Sequence, residues 1–511
     1  MDGNLGDLLR RRAWTTPLKQ AVVDLGSGVR VTYPELNARV NAAAHGLTAL
    51  GIGPDDRVAL LCMNRIEFVE CYYAAAKLGA IVVPLNWRLT ASELTFILKD
   101  CGAKALIFDA AFAEVSEAIK AAGNATDVAR FVEIGATAAW AERYDQVVDP
   151  AQIHEPAITP GNDEPLTIVY TSGTTGLPKG AVHSHRTAIS GILNVLATIE
   201  LTQSDRYLLV LPLFHVGAST PMLAQLYRGG CLYLMQQFDP ARMWEIIEAE
   251  RITKTLAVPA MLNFMLQVPG FQDRDLSCLH SILSGASPVP VELIRKYHAL
   301  GIQIHQVYGM TETFGPGCFL GGDEAEARAG STGRGYMLTD VRLVDEDGKD
   351  VPAGTPGQVI MRGAHNMLGY WNRPDATAET IRDGWLYSGD IGIADEEGYV
   401  TIHDRVKDMI ISGGENVYPA EIENALISHP GIADVAVIGQ PSERWGESPL
   451  AVVVRANADL TQADVMAHCQ GRLARYKRPA GVVFIDEIPR NPTGKPLKRL
   501  LRDRFPGPAP E

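Results

Sequence analysis

The sequence predicts an α/β protein with a large N-terminal domain of helix-covered sheets and a β-rich subdomain, followed by a small α+β C-terminal domain. Its 511 residues exceed the usual size of one hydrophobic core, and an apolar content of 46% is ample for several cores. Short apolar runs alternate with helical patterns, as in parallel sheets covered by helices. Beyond Ser331 this alternation gives way to short β runs separated by turns.

The first part of the chain repeats a strand–helix–strand pattern. A helix is expected near Phe68–Leu78, and further helical segments separate the later strands. The predicted strands are Arg57–Cys62, Ala80–Leu85, Lys104–Asp109, Leu166–Thr171, Tyr207–Pro212, Cys231–Met235, Leu279–Gly285 and Ile302–Gly309. These segments predict parallel sheets with helices on their faces.

Beyond Ser331 the sequence pattern changes from alternating strands and helices to short strands and turns. From Ser331 to about Asp404, turns such as DEDGK and DEEGY predict antiparallel hairpins. A compact α+β unit follows, with a helix expected over Thr461–Tyr476. The apolar face of this helix would consist of Val465, Cys469 and Leu473. The predicted domains are residues 1–404 and 405–511.

Charge and cysteine content predict a cytoplasmic protein that acts on small molecules. A formal net charge of -14 disfavours nucleic-acid binding, which needs a basic surface. The seven cysteines are scattered and lack CxxC spacing, which argues against a disulfide framework and a zinc site. His183 and His185 have no nearby Cys or acidic pattern to complete a zinc site, so we interpret them as structural.

The N-terminus bears on membrane association. The stretch MDGNLGDLLRRRAW lacks the apolar core of a signal peptide, and the most apolar run, Cys71–Leu85, is short and contains Lys77. No membrane-spanning segment is therefore expected. Arg10–Arg12 are typical of a solvated helix end but would also suit anionic lipid, so peripheral membrane contact stays open.

The stretch YTSGTTGLPKG, Tyr170–Gly180, directly follows a predicted strand. It is not a Walker P-loop, because Lys179 precedes a glycine and no serine or threonine follows it. Glycines allow backbone N–H groups to approach an anion closely, several hydroxyls add donors, and Lys179 supplies positive charge. The loop therefore suits a phosphate group, although Gly/Thr/Ser clusters also form plain surface loops.

Three further motifs accompany this loop. QVYGMTET, Gln306–Thr313, places an aromatic ring and a carboxylate just after a predicted strand, where open α/β sheets build ligand sites. YSGDIG offers Asp390 beside a flexible glycine, which suits ribose hydroxyls. NPTGKPLKR places Lys495 on a glycine-containing turn. Each motif alone is compatible with an ordinary turn.

Together the four motifs resemble the adenylate-forming enzymes: acyl- and aryl-CoA synthetases, luciferases and the adenylation domains of peptide synthetases. The resemblance extends over nearly the whole chain, from VTYPELN to NPTGK. Four stretches look like bacterial fatty-acyl-CoA synthetases: Val82–Thr90, Leu211–Gly217, His403–Glu423 and Arg472–Pro479. The tract PAMLNFMLQVPGF, Pro259–Phe271, is similar to mycobacterial very-long-chain acyl-CoA synthetases.

The resemblance implies an ATP-dependent carboxylic acid:CoA ligase. The acid attacks the α-phosphate of ATP and releases pyrophosphate, and the thiol of CoA then displaces AMP from the acyl-adenylate. Glu312, with Thr171, would hold Mg²⁺, and Lys495 would stabilise charge between the carboxylate and the α-phosphate. The phosphate-binding residues implied are Thr171, Ser172, Gly173, Thr174, Thr175, Gly176 and Lys179.

The resemblance also assigns the adenosine site. Gly285, Ala286 and Ser287 would lie on one side of the adenine and Tyr308 would be its stacking ring. Gly309, Met310 and Thr311 would complete the nucleotide-binding residues. Asp390 would bind the ribose hydroxyls with help from Arg405. Many relatives have threonine where this chain has Ser388, and serine keeps the hydroxyl.

The acyl and CoA sites follow from the same resemblance. His215 and Gly217 would line the carboxylate site, and Gly217, Ala286, Gly309 and Met310 are small or flexible enough to permit a long acyl tunnel. The CoA residues implied are Gly413, Gly414, Trp445, Tyr476 and Arg478. Trp445 is equally compatible with packing, Arg478 with plain surface charge, and His215 with a packed core.

The sequence therefore favours a medium- to long-chain fatty acid as substrate, with ATP, Mg²⁺ and CoA. An aryl acid such as a cinnamate or benzoate is the alternative within this class. The presence of Glu312, Asp390 and Lys495 together argues against a non-catalytic nucleotide-binding regulator. Loading of a carrier protein is less favoured, because no carrier domain follows NPTGKPLKR. The resemblance implies that the small C-terminal domain is mobile, and Lys407 matches the family's hinge position. The oligomeric state stays open, with a homodimer among the options.

Overall fold

The computed structural model describes residues 3–135, 138–159, 161–171, 178–405, 408–412, 415–442, 445–470, 472–473, 477–490 and 496–507. For residues 404, 405, 411, 415, 416 and 446 it describes the backbone alone. The chain forms two compact units, residues 1–341 with 361–386 and residues 342–360 with 387–511. The domain boundary predicted between residues 404 and 405 stays a prediction.

The described helices are distributed along the whole chain. They are α1 (Leu5–Thr15), α2 (Tyr33–Ala49), α3 (Ile66–Leu78), α4 (Ala91–Cys101), α5 (Ala113–Ala121), α6 (Tyr144–Val147), α7 (His185–Thr198), α8 (Val216–Arg228), α9 (Pro240–Ala249), α10 (Pro259–Leu266), α11 (Val291–Ala299), α12 (Pro374–Thr380), α13 (Pro419–Ile427), α14 (Gln462–Cys469) and α15 (Lys498–Arg504). Among the described residues, no helix combines the length and apolar character needed to cross a bilayer.

The described strands alternate with these helices through the first unit. They are β1 (Gln20–Asp24), β2 (Arg30–Thr32), β3 (Arg57–Leu61), β4 (Ile81–Pro84), β5 (Ala105–Asp109), β6 (Arg130–Ile134), β7 (Glu142–Arg143), β8 (Pro165–Thr171), β9 (Lys179–Ser184), β10 (Arg206–Leu209), β11 (Cys231–Leu234), β12 (Lys254–Leu256), β13 (Ser281–Gly285), β14 (Gln303–Tyr308), β15 (Cys318–Leu320), β16 (Arg334–Gly335), β17 (Asp340–Val344), β18 (Gly357–Arg362), β19 (Gly369–Tyr370), β20 (Ile381–Arg382), β21 (Trp385–Ala394), β22 (Val400–Arg405), β23 (Ile410–Ser412), β24 (Glu415–Val417), β25 (Ile432–Ser442), β26 (Gly446–Arg455) and β27 (Gly481–Ile485).

One sheet of the first unit has the strand order β16-β15-β14-β13-β12-β10-β11-β1-β2. In this order the strands from β14 to β1 are parallel to one another. Antiparallel strands lie at the two edges of the sheet, β15 and β16 at one edge and β2 at the other. The runs predicted at Cys231–Met235 and Leu279–Gly285 contain β11 and β13, and every residue of these two strands is buried. Parallel strands covered on both faces need such continuous apolar runs.

The second sheet of this unit has the order β19-β9-β8-β4-β3-β5-β6-β7. Its strands from β8 to β7 are parallel, whereas β9 is antiparallel to both β8 and β19. Helix α7 begins directly after β9, and the Ser184 hydroxyl caps it by accepting a hydrogen bond from the Thr187 N–H. This cap stabilises the start of α7 at the residue where β9 ends.

The first unit is held together by buried helices between strands. Every residue of α3 from Phe68 to Leu78 is buried, which accounts for its lack of a polar face. Helix α2 begins with a capping box in which Thr32 and Glu35 satisfy each other's backbone N–H groups. The predicted helix-covered parallel sheets are confirmed.

The second unit contains a sheet of order β24-β23-β26-β25, with β27 parallel to β26. Strands β21 and β22 form the hairpin predicted around DEEGY. The helix predicted over Thr461–Tyr476 was too long, because α14 ends at Cys469 and Gln470 has the extended backbone angle ψ 132°. Glycine, the next residue in sequence, is a poor helix former. The α+β character of this region is confirmed.

Candidate active site

The two ends of the glycine-rich segment are joined by strand pairing. Thr171 ends β8, Lys179 begins β9, and the two residues are paired across the antiparallel ladder. The Thr171 hydroxyl donates a hydrogen bond to the Lys179 carbonyl oxygen at 3.3 Å. The segment therefore connects two strands, unlike a Walker P-loop, which connects a strand to a helix. The predicted residues Ser172, Gly173, Thr174, Thr175 and Gly176 lie outside the described residues.

A chain of contacts leads from this segment to Glu312. The ammonium nitrogen of Lys179 lies 5.2 Å from the centroid of the Tyr370 ring, a cation–π distance. The Tyr370 hydroxyl donates a hydrogen bond to Glu312 Oε1 at 2.7 Å. Sequence reasoning missed Tyr370, whose surroundings in the sequence contain no motif we associated with nucleotide binding.

Glu312 lies on a single 3₁₀ turn, Thr311–Thr313, just after β14. It is 7% exposed, and its carbonyl oxygen accepts a hydrogen bond from the Met367 N–H at 2.8 Å. The turn is braced by the Met310 N–H, which donates to the Thr313 hydroxyl at 3.3 Å. The Glu312 carboxylate is therefore held on both its side-chain and backbone sides.

His183, on strand β9 of the second sheet, is hydrogen-bonded to this turn. Its Nε2 lies 2.8 Å from the Thr311 carbonyl oxygen, and the side chain is fully buried. Burial lowers the pKa of His183 to about 4, although the hydrogen bond to Thr311 acts in the opposite direction. His183 is thus neutral near pH 7, and its Nε2–H donates to Thr311. His185 accepts a hydrogen bond from the Leu5 N–H at 3.1 Å, consistent with structural roles for both histidines.

The predicted adenine residues lie at one edge of the parallel sheet. Strands β13 and β14 are neighbours, with Gly285 opposite Val307, so the residues that follow each strand emerge side by side. A side chain on Gly285 would lie 2.8 Å from Val307 Cγ2, and Ala286 adopts the left-handed conformation with φ 69°. Such strain costs roughly 1–3 kcal/mol and is concentrated at functional sites.

The predicted ribose residue lies in the second unit. Asp390 is 8% exposed and lies opposite Arg405 in the β21–β22 hairpin. The Asp390 N–H donates to the Ser388 hydroxyl at 3.0 Å, and that hydroxyl donates to the Val359 carbonyl at 2.6 Å. Ser388 thus orients the backbone at Asp390, which a threonine hydroxyl could do equally well. The side chain of Arg405 lies outside the described part of the chain.

His215 is the N-cap of α8. Its Nδ1 accepts a hydrogen bond from the Gly217 N–H at 3.1 Å, which satisfies one of the free donors at the start of the helix. Further along α8, the Thr220 hydroxyl donates to the Phe314 carbonyl at 2.7 Å. Helix α8 is thereby tied to the segment that follows Glu312. The assignment of His215 and Gly217 to the acyl site stays a prediction.

The predicted CoA residues have ordinary structural contacts. Trp445 is 49% exposed, and its backbone N–H donates a hydrogen bond to the Ser442 hydroxyl at 3.2 Å. Arg478 Nε donates to the Leu473 carbonyl at 3.1 Å. Gly413, Gly414 and Tyr476 lie outside the described residues, as do Lys407 and Lys495. Their assignments stay predictions.

Comparison with known proteins identifies the family. Residues 9–371 match the AMP-binding enzyme family, and residues 421–495 match the AMP-binding enzyme C-terminal domain. The long-chain-fatty-acid–CoA ligase FadD13 of Mycobacterium tuberculosis is 46% identical over 512 residues, covering 99% of this chain and 100% of the relative. A feruloyl-CoA synthase of an Amycolatopsis species is 40% identical, covering 98% and 99% of the two chains.

Solved structures of similar proteins have the same fold as this chain. A Mycobacterium tuberculosis fatty acyl CoA synthetase superposes with a TM-score of 0.82 at 44% identity, covering 98% of each chain. ATP-bound MatB from Rhodopseudomonas palustris superposes with a TM-score of 0.89 at 31% identity, covering 99% of each chain. The predicted fold class and the predicted enzyme class, an acid:CoA ligase that forms an acyl-adenylate, are confirmed. This chain belongs to the AMP-binding family of adenylate-forming enzymes.

Proposed function

We propose that the protein is an ATP-dependent fatty acid:CoA ligase that prefers a medium- to long-chain acid. The observation that supports it best is the contact chain Thr171–Lys179–Tyr370–Glu312, which unites a hydroxyl, a cation and a buried carboxylate at the ends of the glycine-rich segment. The Lys179 ammonium and the Thr171 hydroxyl suit the β- and γ-phosphates of ATP. The carboxylate suits a divalent cation that accompanies those phosphates.

Mg²⁺ fits the residues at this place. The described residues contain no cluster of three or more His, Cys, Asp or Glu side chains, so no all-protein metal cage is present among them. Mg²⁺ that accompanies nucleotides typically uses one or two carboxylates together with phosphate oxygens and water. Glu312, with the Thr171 hydroxyl, would hold the ion. When bound, Mg²⁺ neutralises charge on the phosphates during acid attack.

The protein's own groups would act by position and charge. Lys179 would add positive charge near the terminal phosphates, and Lys495 would stabilise charge between the carboxylate and the α-phosphate. Gly285 and Gly309 would let the backbone lie against the adenine ring. Asp390 would bind the ribose hydroxyls.

The choice of a fatty acid is supported by the 46% identity to a ligase named for long-chain fatty acids. An aryl acid is the second candidate, because a feruloyl-CoA synthase is 40% identical over almost the same length. The two classes differ in what must fill the acyl pocket, a flexible chain or a flat ring. His215 and Gly217 would line the carboxylate end in either case.

The test is a substrate screen that measures CoA-dependent AMP release. Saturated fatty acids from short to very long chain and a series of hydroxycinnamates are compared at equal concentration, with Glu312→Gln as the negative control. If kcat/KM is highest for medium- or long-chain acids, the proposal is supported. If kcat/KM is highest for a hydroxycinnamate, the aryl alternative is correct. If no acid causes AMP release, both candidates are wrong.

A further inference from the structure

Tyr370 contacts both charged groups of the phosphate-binding region. Its hydroxyl donates to Glu312 Oε1 at 2.7 Å, and its ring faces the Lys179 ammonium at 5.2 Å. Its backbone is also paired with Ala181 in the strand that begins with Lys179. One side chain on β19 therefore sets the position of a carboxylate and a cation that come from two different sheets.

The chemistry of a tyrosine suits this position. A phenolic O–H orients a carboxylate without neutralising it, whereas a lysine or arginine would compete with a bound cation for the negative charge. A cation–π contact likewise positions the ammonium while leaving its charge in place. Tyr370 can therefore fix both groups and keep both charges available to a metal–nucleotide complex.

Asp100 anchors the segment that follows Tyr370. Its Oδ1 lies 2.5 Å from a guanidinium nitrogen of Arg373, and its backbone carbonyl accepts a hydrogen bond from the Trp371 indole at 3.2 Å. Its Oδ2 accepts a hydrogen bond from the Tyr170 hydroxyl at 2.6 Å. Because Tyr170 directly precedes Thr171, Asp100 joins β8 to the segment that contains Tyr370.

The location of Asp100 is unfavourable for helix stability alone. It lies in the last turn of α4, where a negative charge opposes the helix dipole. Its side chain is only 10% exposed, so Arg373 and Tyr170 are needed to compensate its burial. A carboxylate placed at such a cost is explained by its link between two segments of the site.

We infer that Tyr370 is a positioning residue that orients Glu312 toward the Mg²⁺–ATP complex, and that Asp100 holds Tyr370 in register with β8. This inference rests on the proposed role of Glu312 in holding Mg²⁺. Partners that orient metal ligands typically change metal affinity by about 10- to 100-fold when removed. Tyr370→Phe removes only the hydroxyl and keeps the ring beneath Lys179.

The test is calorimetric titration of ATP into the protein at a series of Mg²⁺ concentrations, without acid, so that no turnover occurs. Tyr370→Phe should weaken the Mg²⁺-dependent part of ATP binding by about 10-fold and leave binding in EDTA unchanged. Tyr297→Phe is the control, because it removes a tyrosine hydroxyl that donates a buried hydrogen bond to the Leu262 carbonyl at 2.9 Å, away from the proposed site. This control should bind as wild type.

Glu312→Gln separates a failure of the proposed metal site from a failure of the positioning role of Tyr370. If Glu312→Gln leaves the Mg²⁺ dependence unchanged, the proposed metal site itself is wrong. If Glu312→Gln weakens it and a folded Tyr370→Phe does not, the positioning role is wrong. In the double variant, Tyr370→Phe should add little, and a full further 10-fold loss would show that Tyr370 does not act through Glu312.

Asp100→Asn tests the anchor and should weaken Mg²⁺-dependent ATP binding in the same direction as Tyr370→Phe. Asp127→Asn is its control, because Asp127 forms an exposed ion pair with Lys99 on the same helix α4. Thermal unfolding checks that each variant is folded. Wild-type binding by a folded Asp100→Asn would exclude Asp100 from the positioning role.

Discussion

Replacing Gly309 by alanine should disable adenylation through a steric clash alone. The added Cβ would overlap the carbonyl oxygen of Gly315 and lie 2.7 Å from its carbonyl carbon. Ordinary contact begins at about 3.4 Å, so the carbonyl carbon must retreat by about 0.7 Å and the oxygen by more. The 3₁₀ turn with Glu312 lies between these two glycines and would move with them.

A displacement of about 1 Å at a positioning group typically costs on the order of 10²-fold in rate. We therefore expect Gly309→Ala to lower single-turnover pyrophosphate release by about that factor. Overpacking should also lower the free energy of unfolding by about 1–3 kcal/mol. The assay is a rapid-quench measurement of acid-dependent pyrophosphate release, with thermal unfolding recorded on the same preparation.

Gly321→Ala is the matched control. A Cβ at Gly321 would meet no atom within 4 Å, so this substitution should leave both the rate and the unfolding temperature close to wild type. Wild-type pyrophosphate release by a folded Gly309→Ala variant would show that the clash does not impair adenylation. Equal impairment of Gly321→Ala and Gly309→Ala would show that lost backbone flexibility, and not the clash, is the cause.

Four further predictions concern Glu312, Lys495, Lys407 and a pair of buried histidines. Glu312→Gln should lower adenylation and raise the Mg²⁺ concentration needed for half-maximal rate; an unchanged metal requirement would remove Glu312 from the metal site. Lys495→Ala should slow adenylation by roughly 10²- to 10³-fold but spare thioester formation from supplied acyl-adenylate, and equal loss in both half-reactions would contradict its assignment. Lys407→Pro should keep single-turnover pyrophosphate release and slow thioester formation, because proline restricts the backbone rotation expected of a hinge; wild-type thioester formation would place the hinge elsewhere. Burial lowers the pKa of His183 and His365 to about 4, so the folded state binds fewer protons than the unfolded state below pH 6.5. The free energy of unfolding should therefore fall as the pH drops from 6.5 to about 4, by up to about 3 kcal/mol per histidine. Urea unfolding that does not depend on pH over this range would contradict the role given to burial.

The fold class and the family could be read from the sequence alone and are confirmed, whereas the site residues named from it stay predictions. The run Leu166–Thr171 predicted β8, whose central residues are apolar and buried, as in a strand covered on both faces. The run Ile302–Gly309 predicted β14, although this strand carries polar residues and is only partly buried. The phosphate, adenine and metal residues could be proposed because each of them lies in a short continuous stretch, even where one group, such as Thr171 and Glu312, draws on two stretches. A local motif is read without knowing how distant segments pack.

Helical spacing was less informative about backbone conformation. Val465, Cys469 and Leu473 were expected on one helical face, and all three are buried. The helix nevertheless ends at Cys469, and Leu473 is buried from a non-helical segment. Apolar spacing reports which residues face the core, and several backbone conformations can satisfy the same requirement.

Only the tertiary structure showed the residues that hold the motifs together. Tyr370 contacts Glu312 across 58 residues of sequence, and Asp100 contacts Arg373 across 273. Neither contact has a local signal, because each depends on the pairing of β19 with β9 and on the packing of α4 beside β8. Sequence patterns record the conformational preferences of neighbouring residues, whereas the contacts between distant strands are decided by how the whole sheet assembles.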